Sequence, residues 1–256
     1  MLKENLVSVC CITYNHQDFI EKCIDGFLMQ KTTFPVEFLI GDDASTDKNQ
    51  EKILKKVGNH DNFKLFLRKE NLFQKELFMS VVLSKEAKGK YIATCEGDDY
   101  WTDPFKLQKQ FEFLENNSEY ALCGHSTLVV DRNGRSKNRR VFDTRTKNIY
   151  DITDLIKYGI GAHTSSIMMR NVENIYHSKL HPQMEIYRHG KAFFFDEYMS
   201  CYRLHEGGFF SHNEPLSKKL WHLKWHILQL IEWPEHRKII NERIYNRCIY
   251  WLVGNL

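Results

Sequence analysis

The chain has 256 residues, 42% apolar and 27% charged, which fits one large globular domain, or one domain with an appendage. A net charge of only +3 gives no bulk signal for a nucleic-acid binder. No run of about 18 apolar residues is present to form a membrane-spanning helix.

The segment 6–13, Leu-Val-Ser-Val-Cys-Cys-Ile-Thr, is a nearly continuous apolar run, the pattern of a strand covered on both faces. It follows directly on the first residues, so no signal peptide is expected. A polar turn, Thr13-Tyr14-Asn15-His16, follows. A helix is predicted from about Asp18, with Phe19, Ile20, Cys23, Ile24, Phe27 and Leu28 on one face. A second strand, 36–40, stops at Gly41-Asp42-Asp43-Ala44-Ser45-Thr46-Asp47, and a helix spans 48–57. A shorter strand at 63–67 precedes a helix over roughly 76–87, with Gly89 placed to close it.

The fourth strand, 91–95, ends in Glu96-Gly97-Asp98-Asp99-Tyr100-Trp101. Three carboxylates so close together repel one another unless a cation lies among them. A hard divalent ion with oxygen ligands is one reading. The other is a solvated acidic turn before the helix signalled by Asp103-Pro104. The series strand, helix, strand, helix, strand, helix, strand implies a parallel sheet with helices on both faces. Ligands of such sheets lie beyond the carboxyl ends of the strands. The polar clusters around Asn15, Asp43 and Asp98 all fall there, which favours the ion. The missing Gly-rich loop after the first strand argues against a dinucleotide oxidoreductase.

Further on, the pattern predicts a helix over 105–114, a strand over 120–130 and a turn at Asp131-Arg132-Asn133-Gly134. Arg132, Arg135, Lys137, Arg139, Arg140, Arg145 and Lys147 read as a solvated hairpin or loop, with a patch for phosphate or anionic lipid as the second reading. A short helix at 151–158, strands at 165–170 and 193–203, and a helical segment over 218–252 broken near Pro234 complete the chain. Seven cysteines show no metal-finger spacing, and an odd count without a framework fits a reducing compartment, so a cytoplasmic protein is expected.

The three strand-end motifs (Val7-Ser8-Val9 leading to Thr13-Tyr14-Asn15, Asp42-Asp43-Ala44-Ser45-Thr46-Asp47, and Glu96-Gly97-Asp98-Asp99-Tyr100-Trp101) resemble those of a family 2 glycosyltransferase. Tyr202-Arg203-Leu204-His205 resembles a fourth motif of the family. The resemblance covers about residues 6 to 212. It implies the GT-A fold, a mostly parallel Rossmann-like sheet, for a domain at 1–212, with a C-terminal helical extension at 213–256. It also implies a nucleotide-diphosphate sugar donor, read as UDP-linked, a Mn²⁺ or Mg²⁺ ion, and inverting transfer to a glycan hydroxyl in cell-surface polysaccharide biosynthesis.

By the same resemblance, Thr13, Tyr14, Asn15, Asp43, Glu96 and Asp98 bind the nucleotide. Asp98, Asp99 and His205 hold the metal, and His163 and Trp101 lie on the acceptor side. Packing under the site is the stronger reading of Trp101. Arg203 pairs with phosphate or with an acid such as Glu197. The family's base carboxylate has no Gly-Asp or Glu-Asp counterpart between 171 and 190. Glu185 is the best substitute, although a surface pair with Arg188 is its commoner explanation. The alternative to an active enzyme is a catalytically weak relative that binds nucleotide sugar or glycan. The tail, with Trp221, Trp225 and Trp233 among lysines and arginines, reads as packing against the domain or a second subunit, or as a peripheral membrane contact near a lipid-linked acceptor.

Overall fold

The computed structural model describes residues 3–72, 79–141, 147–158, 163–173, 175, 180–208 and 215–246. Four parallel strands form one half of a single sheet: β1 (Lys3–Thr13), β2 (Val36–Asp42), β3 (Phe63–Leu67) and β4 (Gly89–Glu96). The helices between them are α1 (Ile20–Leu28), α2 (Asn49–Val57) and α3 (Met79–Glu86). The other half holds β6 (Tyr120–Val130), β9 (Met168–Arg170) and β10 (Lys191–Arg203), with the edge pair β5 (Tyr100–Trp101) beside β10. The spatial order is β3-β2-β1-β4-β9-β6-β10-β5. Strand β9 at the centre runs antiparallel to both of its neighbours and edge strand β5 runs antiparallel to β10, so the sheet is mostly parallel with these two reversals along its path.

The apolar runs of β1, β2 and β4 exist because both faces are covered. Val9 and Cys11 face the side of α1, while Cys10 joins the opposite cluster with Leu39, Leu83 and Ile92. On α1, Ile20, Cys23, Ile24 and Phe27 are buried at helical spacing. Cys11, Cys23 and Cys95 pack there as small hydrophobes, with Sγ–Sγ separations of 3.9 and 4.0 Å. Burial pushes the thiols of Cys23 and Cys95 up, away from reactive thiolate.

Two local expectations are corrected. Gly89 does not cap α3; it opens β4, where a Cβ would lie 2.6 Å from the Ser8 backbone nitrogen. The expected strand 165–170 is shorter, because Thr164–Ser166 form a 3-10 turn before β9. The basic segment contains the strand β7 (Ser136–Arg140), which forms a hairpin with β6. Arg132 pairs with Asp18 and Glu206, and Arg140 pairs with Asp196, leaving Arg135, Lys137 and Arg139 exposed. The first residues of the helix expected over 76–87, and the end of the tail helix beyond 246, lie outside the described residues.

A two-residue strand, β8 (Ile149–Tyr150), pairs with β10 ahead of α5 (Ile152–Tyr158). After α4 (Lys106–Asn116) and the four-residue α6 (Pro182–Glu185), the tail forms α7 (Pro215–Glu232) and α8 (Arg237–Ile244). A 3-10 turn at Pro234–His236 separates these two, as the proline predicts. Trp225, Trp233 and Ile240 are buried in the same apolar cluster as Leu155, Met184 and Tyr187. The tail therefore packs on the sheet domain, with Leu220, Ile227 and Ile231 of α7 left exposed. Among the described residues, no helix is long and apolar enough to cross a membrane.

Candidate functional site

The carboxyl ends of β1, β2 and β4 meet in one polar cluster. At the end of β2, Asp42 accepts hydrogen bonds from Ser45 N and Oγ (2.9 and 2.6 Å), Asn49 Nδ2 (2.7 Å) and Gln50 Nε2 (2.6 Å). Four donors occupy its two oxygens, so Asp42 is a structural cap. Asn15 and Ala44 hold the left-handed backbone region, with φ of 55° and 64°. Asn15 binds the neighbouring loop, receiving Thr46 N at 2.8 Å and donating its own N–H to Ser45 Oγ at 2.8 Å. Asp43 donates its N–H to the Thr13 carbonyl and receives Leu72 N–H on Oδ1 at 2.7 Å. Tyr14 is 42% exposed above this framework. Thr13 is buried, and its Oγ1 accepts from Asn49 Nδ2 at 3.0 Å and faces His16 Nδ1 at 3.2 Å.

Gly97 allows β4 to end against β1. A Cβ there would stand 2.4 Å from Thr13 Oγ1. The flanking acids converge, with one oxygen from each of Glu96, Asp98 and Asp99 within 4.8 Å of the others. Burial and the charge of Asp98 push Glu96 up to about 8. Asp99 is pushed up as well, by burial and then by Asp98, Cys95 and Glu96. Burial also disfavours charge on Asp98, but the imidazoles of His16 and His205 outweigh it and hold Asp98 below the usual carboxylate range. Asp98 Oδ1 and Asp99 Oδ2 are buried without a hydrogen-bond partner. Orphaned carboxylate oxygens among crowded acids fit a bound divalent cation.

The last strand closes this cluster. His205 Nε2 lies 3.0 Å from Asp98 Oδ2, and His205 packs on Phe19 with centroids 4.6 Å apart. The Arg203 backbone N–H donates to Asp99 Oδ1, and its guanidinium donates to the carbonyls of Asp98 (2.9 Å) and Arg132 (2.7 Å). Arg203 thus positions the acidic loop. Of the acids offered for it in the sequence, Glu197 pairs instead with Lys109.

His163 precedes the 3-10 turn, with Nδ1 3.4 Å from Asp99 Oδ2 and its ring against Tyr202. Burial pulls its imidazole down to about 4. Trp101 is only 2% exposed and is buried beneath the acidic loop. Its Nε1 donates to the Ser165 carbonyl at 2.8 Å, and the Lys106 ammonium sits 4.2 Å from its ring centroid. Glu185 Oε1 lies 3.1 Å from Arg188 Nε, while its Oε2 is buried without a partner. Two residues before it, Gln183 donates to Thr94 Oγ1, so α6 abuts the carboxyl end of β4.

His16 was not singled out by the sequence. Its Nε2 stands 3.7 Å from Asp98 Oδ2. The available signal was its place in the polar turn after β1, in line with two other strand ends.

The glycosyl transferase family 2 model matches residues 8–175, well over half of the chain. The chain belongs to this family. The curated relatives give partial matches: the chain spans less than half the length of those most similar to it. One is the Escherichia coli UDP-Glc:alpha-D-GlcNAc-diphosphoundecaprenol beta-1,3-glucosyltransferase WfaP, 31% identical over 127 residues, 50% of this chain and 47% of that protein. Among solved structures, residues 1–349 of Staphylococcus aureus TarS with UDP-GlcNAc give a TM-score of 0.66 at 19% identity, covering 88% of this chain and 66% of that one. The Pyrobaculum calidifontis mannosyltransferase PcManGT, with GDP-Man and Mn²⁺, gives 0.60 at 13% identity, covering 93% and 69%. The fold is the GT-A fold of these enzymes.

Proposed function

We propose that this family 2 chain transfers a sugar from a nucleotide-diphosphate donor, UDP-linked, to a hydroxyl of a glycan in polysaccharide biosynthesis. The single observation that carries the reading is the convergence of three strand-end loops on Asp98, whose Oδ1 is buried without a partner. The donor class is supported by the UDP-GlcNAc bound to TarS, and the lipid-linked glycan acceptor by the diphosphoundecaprenol-linked acceptor in the name of WfaP.

In this reading Thr13, Tyr14 and Asn15 form the nucleotide wall, and Asp43 reads the base from a carboxylate steadied by Leu72 N–H. Glu96 faces the ribose. Asp98, Asp99 and His205 would hold the divalent cation, Mn²⁺ or Mg²⁺, which when bound supplies positive charge to the leaving diphosphate. Arg203 keeps the acidic loop in register. His163 borders the acceptor side. Glu185 takes the acceptor proton as the attack inverts the anomeric carbon. Its orphaned Oε2 and the contact of α6 with Thr94 support that role.

One observation favours a second reading, a binding protein without turnover: Arg188 already engages the Glu185 carboxylate. A panel of nucleotide sugars, assayed for release of nucleoside diphosphate with Mn²⁺, separates the two. The transferase reading expects one donor to be consumed by the native chain and not by Asp98→Ala. Donor binding without turnover for every member would overturn it in favour of the binding protein.

A further inference from the structure

His16 occupies the position of an additional cation ligand. Its Nε2 and that of His205 stand 3.7 and 3.0 Å from the same oxygen, Asp98 Oδ2, and one ligand atom of each of the three residues lies within 4.8 Å of the others. Two atoms each about 2.1 Å from one ion are about 3.0 Å apart at a right angle and about 3.4 Å apart at the tetrahedral angle. The observed separations bracket that range. The second oxygen of Asp98 is buried with no hydrogen-bond partner, which points to an ion independently of the imidazoles.

The ring of His16 is held by its surroundings. Nδ1 faces Thr13 Oγ1 at 3.2 Å, and that oxygen is anchored by Asn49 Nδ2. Phe19 and His205 flank the ring, with centroids 6.4 and 5.9 Å away. Nε2 is therefore the nitrogen presented to Asp98, and the Thr13 hydroxyl can accept a proton carried on Nδ1. A partner on the far nitrogen that orients the ring is the usual arrangement of a metal-bound histidine. His205 differs, because its Nδ1 receives the Gly207 N–H at 3.2 Å. Binding an ion through its Nε2 puts the proton on Nδ1 and breaks that contact. His16 requires no such rearrangement.

We propose that His16 coordinates the divalent cation beside Asp98 and Asp99, so that with His205 the site holds two imidazoles as well as its carboxylates. The assignment rests on the metal-assisted reading above and adds a residue to it. Imidazole ligands shift preference from Mg²⁺ toward Mn²⁺, Co²⁺ and Zn²⁺, so His16 sets which ion the site selects.

Pulsed EPR of Mn²⁺ bound to the full chain, alone and with UDP, counts coordinated nitrogens without any variant. Two imidazole nitrogens are expected in the native chain and one in His16→Gln. The variant should bind Mn²⁺ at least about 10-fold more weakly, since even outer partners of ligating histidines are worth that much, with Mg²⁺ affinity far less affected. Thermal melting of His16→Gln establishes that it folds. One or no nitrogen in the native chain, or no bound Mn²⁺ in either arm, overturns the assignment. So does a variant that keeps the native nitrogen count. A native chain that holds Mn²⁺ through two nitrogens and consumes no sugar nucleotide upholds the assignment while overturning the transfer reading.

Discussion

Gly97→Ala is the most informative small perturbation of this chain. The glycine has no unusual backbone angle; what it supplies is space. A Cβ would sit 2.4 Å from Thr13 Oγ1, 2.6 Å from Thr13 Cβ and 3.1 Å from Ile20 Cδ1. Contacts that short are not tolerated, so either the Glu96–Asp99 loop or the end of β1 must withdraw by about 1 Å. Overpacking of this kind costs about 1–3 kcal/mol. For a chain of this size that lowers the melting temperature by about 2–12 °C. The larger effect falls on the site. Thr13 Oγ1 holds His16 and Asn49, and Gly97 adjoins Asp98, so one shift loosens both sides of the cluster. A displacement of about 1 Å at a reacting centre costs on the order of 100-fold in rate. Calorimetry, Mn²⁺ titration and donor turnover on the same preparation read all three effects. A Gly97→Ala chain with native melting temperature, Mn²⁺ affinity and turnover would show that the β1 and β4 ends are not locked together.

Three further predictions rest on single residues. Glu96 is raised to about 8 from an ordinary 4.5, so the fold favours its neutral form and loses that stability as pH rises through this window. Buried Lys106, lowered to about 7, acts in the opposite direction, so the Glu96 effect is read by difference: the melting temperature of cation-free Glu96→Gln should gain on the native chain from about pH 6 to about pH 8.5, and an unchanged gap would refute the shift. Trp233→Ala empties a fully buried site between the tail and the sheet domain and should cost about 3–5 kcal/mol in denaturant unfolding; a loss under about 1 kcal/mol would mean the tail is not part of the cooperative core. Glu185→Gln should lower transfer by at least about 100-fold with UDP affinity unchanged, the usual worth of a positioned base; full activity would assign Glu185 to its ion pair with Arg188.

The donor half was legible because its physics is local. Continuous apolar runs announce strands covered on both faces, and polar residues after them can only lie at the sheet edge. The pair Glu185–Arg188 was legible too, from i, i+3 spacing alone. The other half was harder to read. Strand direction is not written in residue types, and nothing in Met168–Arg170 says that β9 runs against its neighbours. Ser165 and Ser166 look like strand residues but turn, because Ser166 N–H and Oγ bond back to the His163 carbonyl. Trp101 was legible as packing under the site, and its buried ring lies there. His16 offered only its place in the polar turn after β1, because its role depends on Asp98 and His205, 82 and 189 positions further along the sequence.

The hydrogen bond between His205 and Asp98 spans 107 residues. At ribosomal rates of about 5–20 residues per second, the acidic loop emerges roughly 5–20 s before the strand that neutralises and anchors it. During that interval β1 to β4 can pair, but Asp99 has no Arg203 backbone to receive and Asp98 lacks one of its imidazoles. The nascent donor half thus carries a cluster of buried-to-be acids that a free divalent ion, or continued hydration, must accommodate. A chain stopped near residue 175, where the match to the family model ends, would stay in that condition.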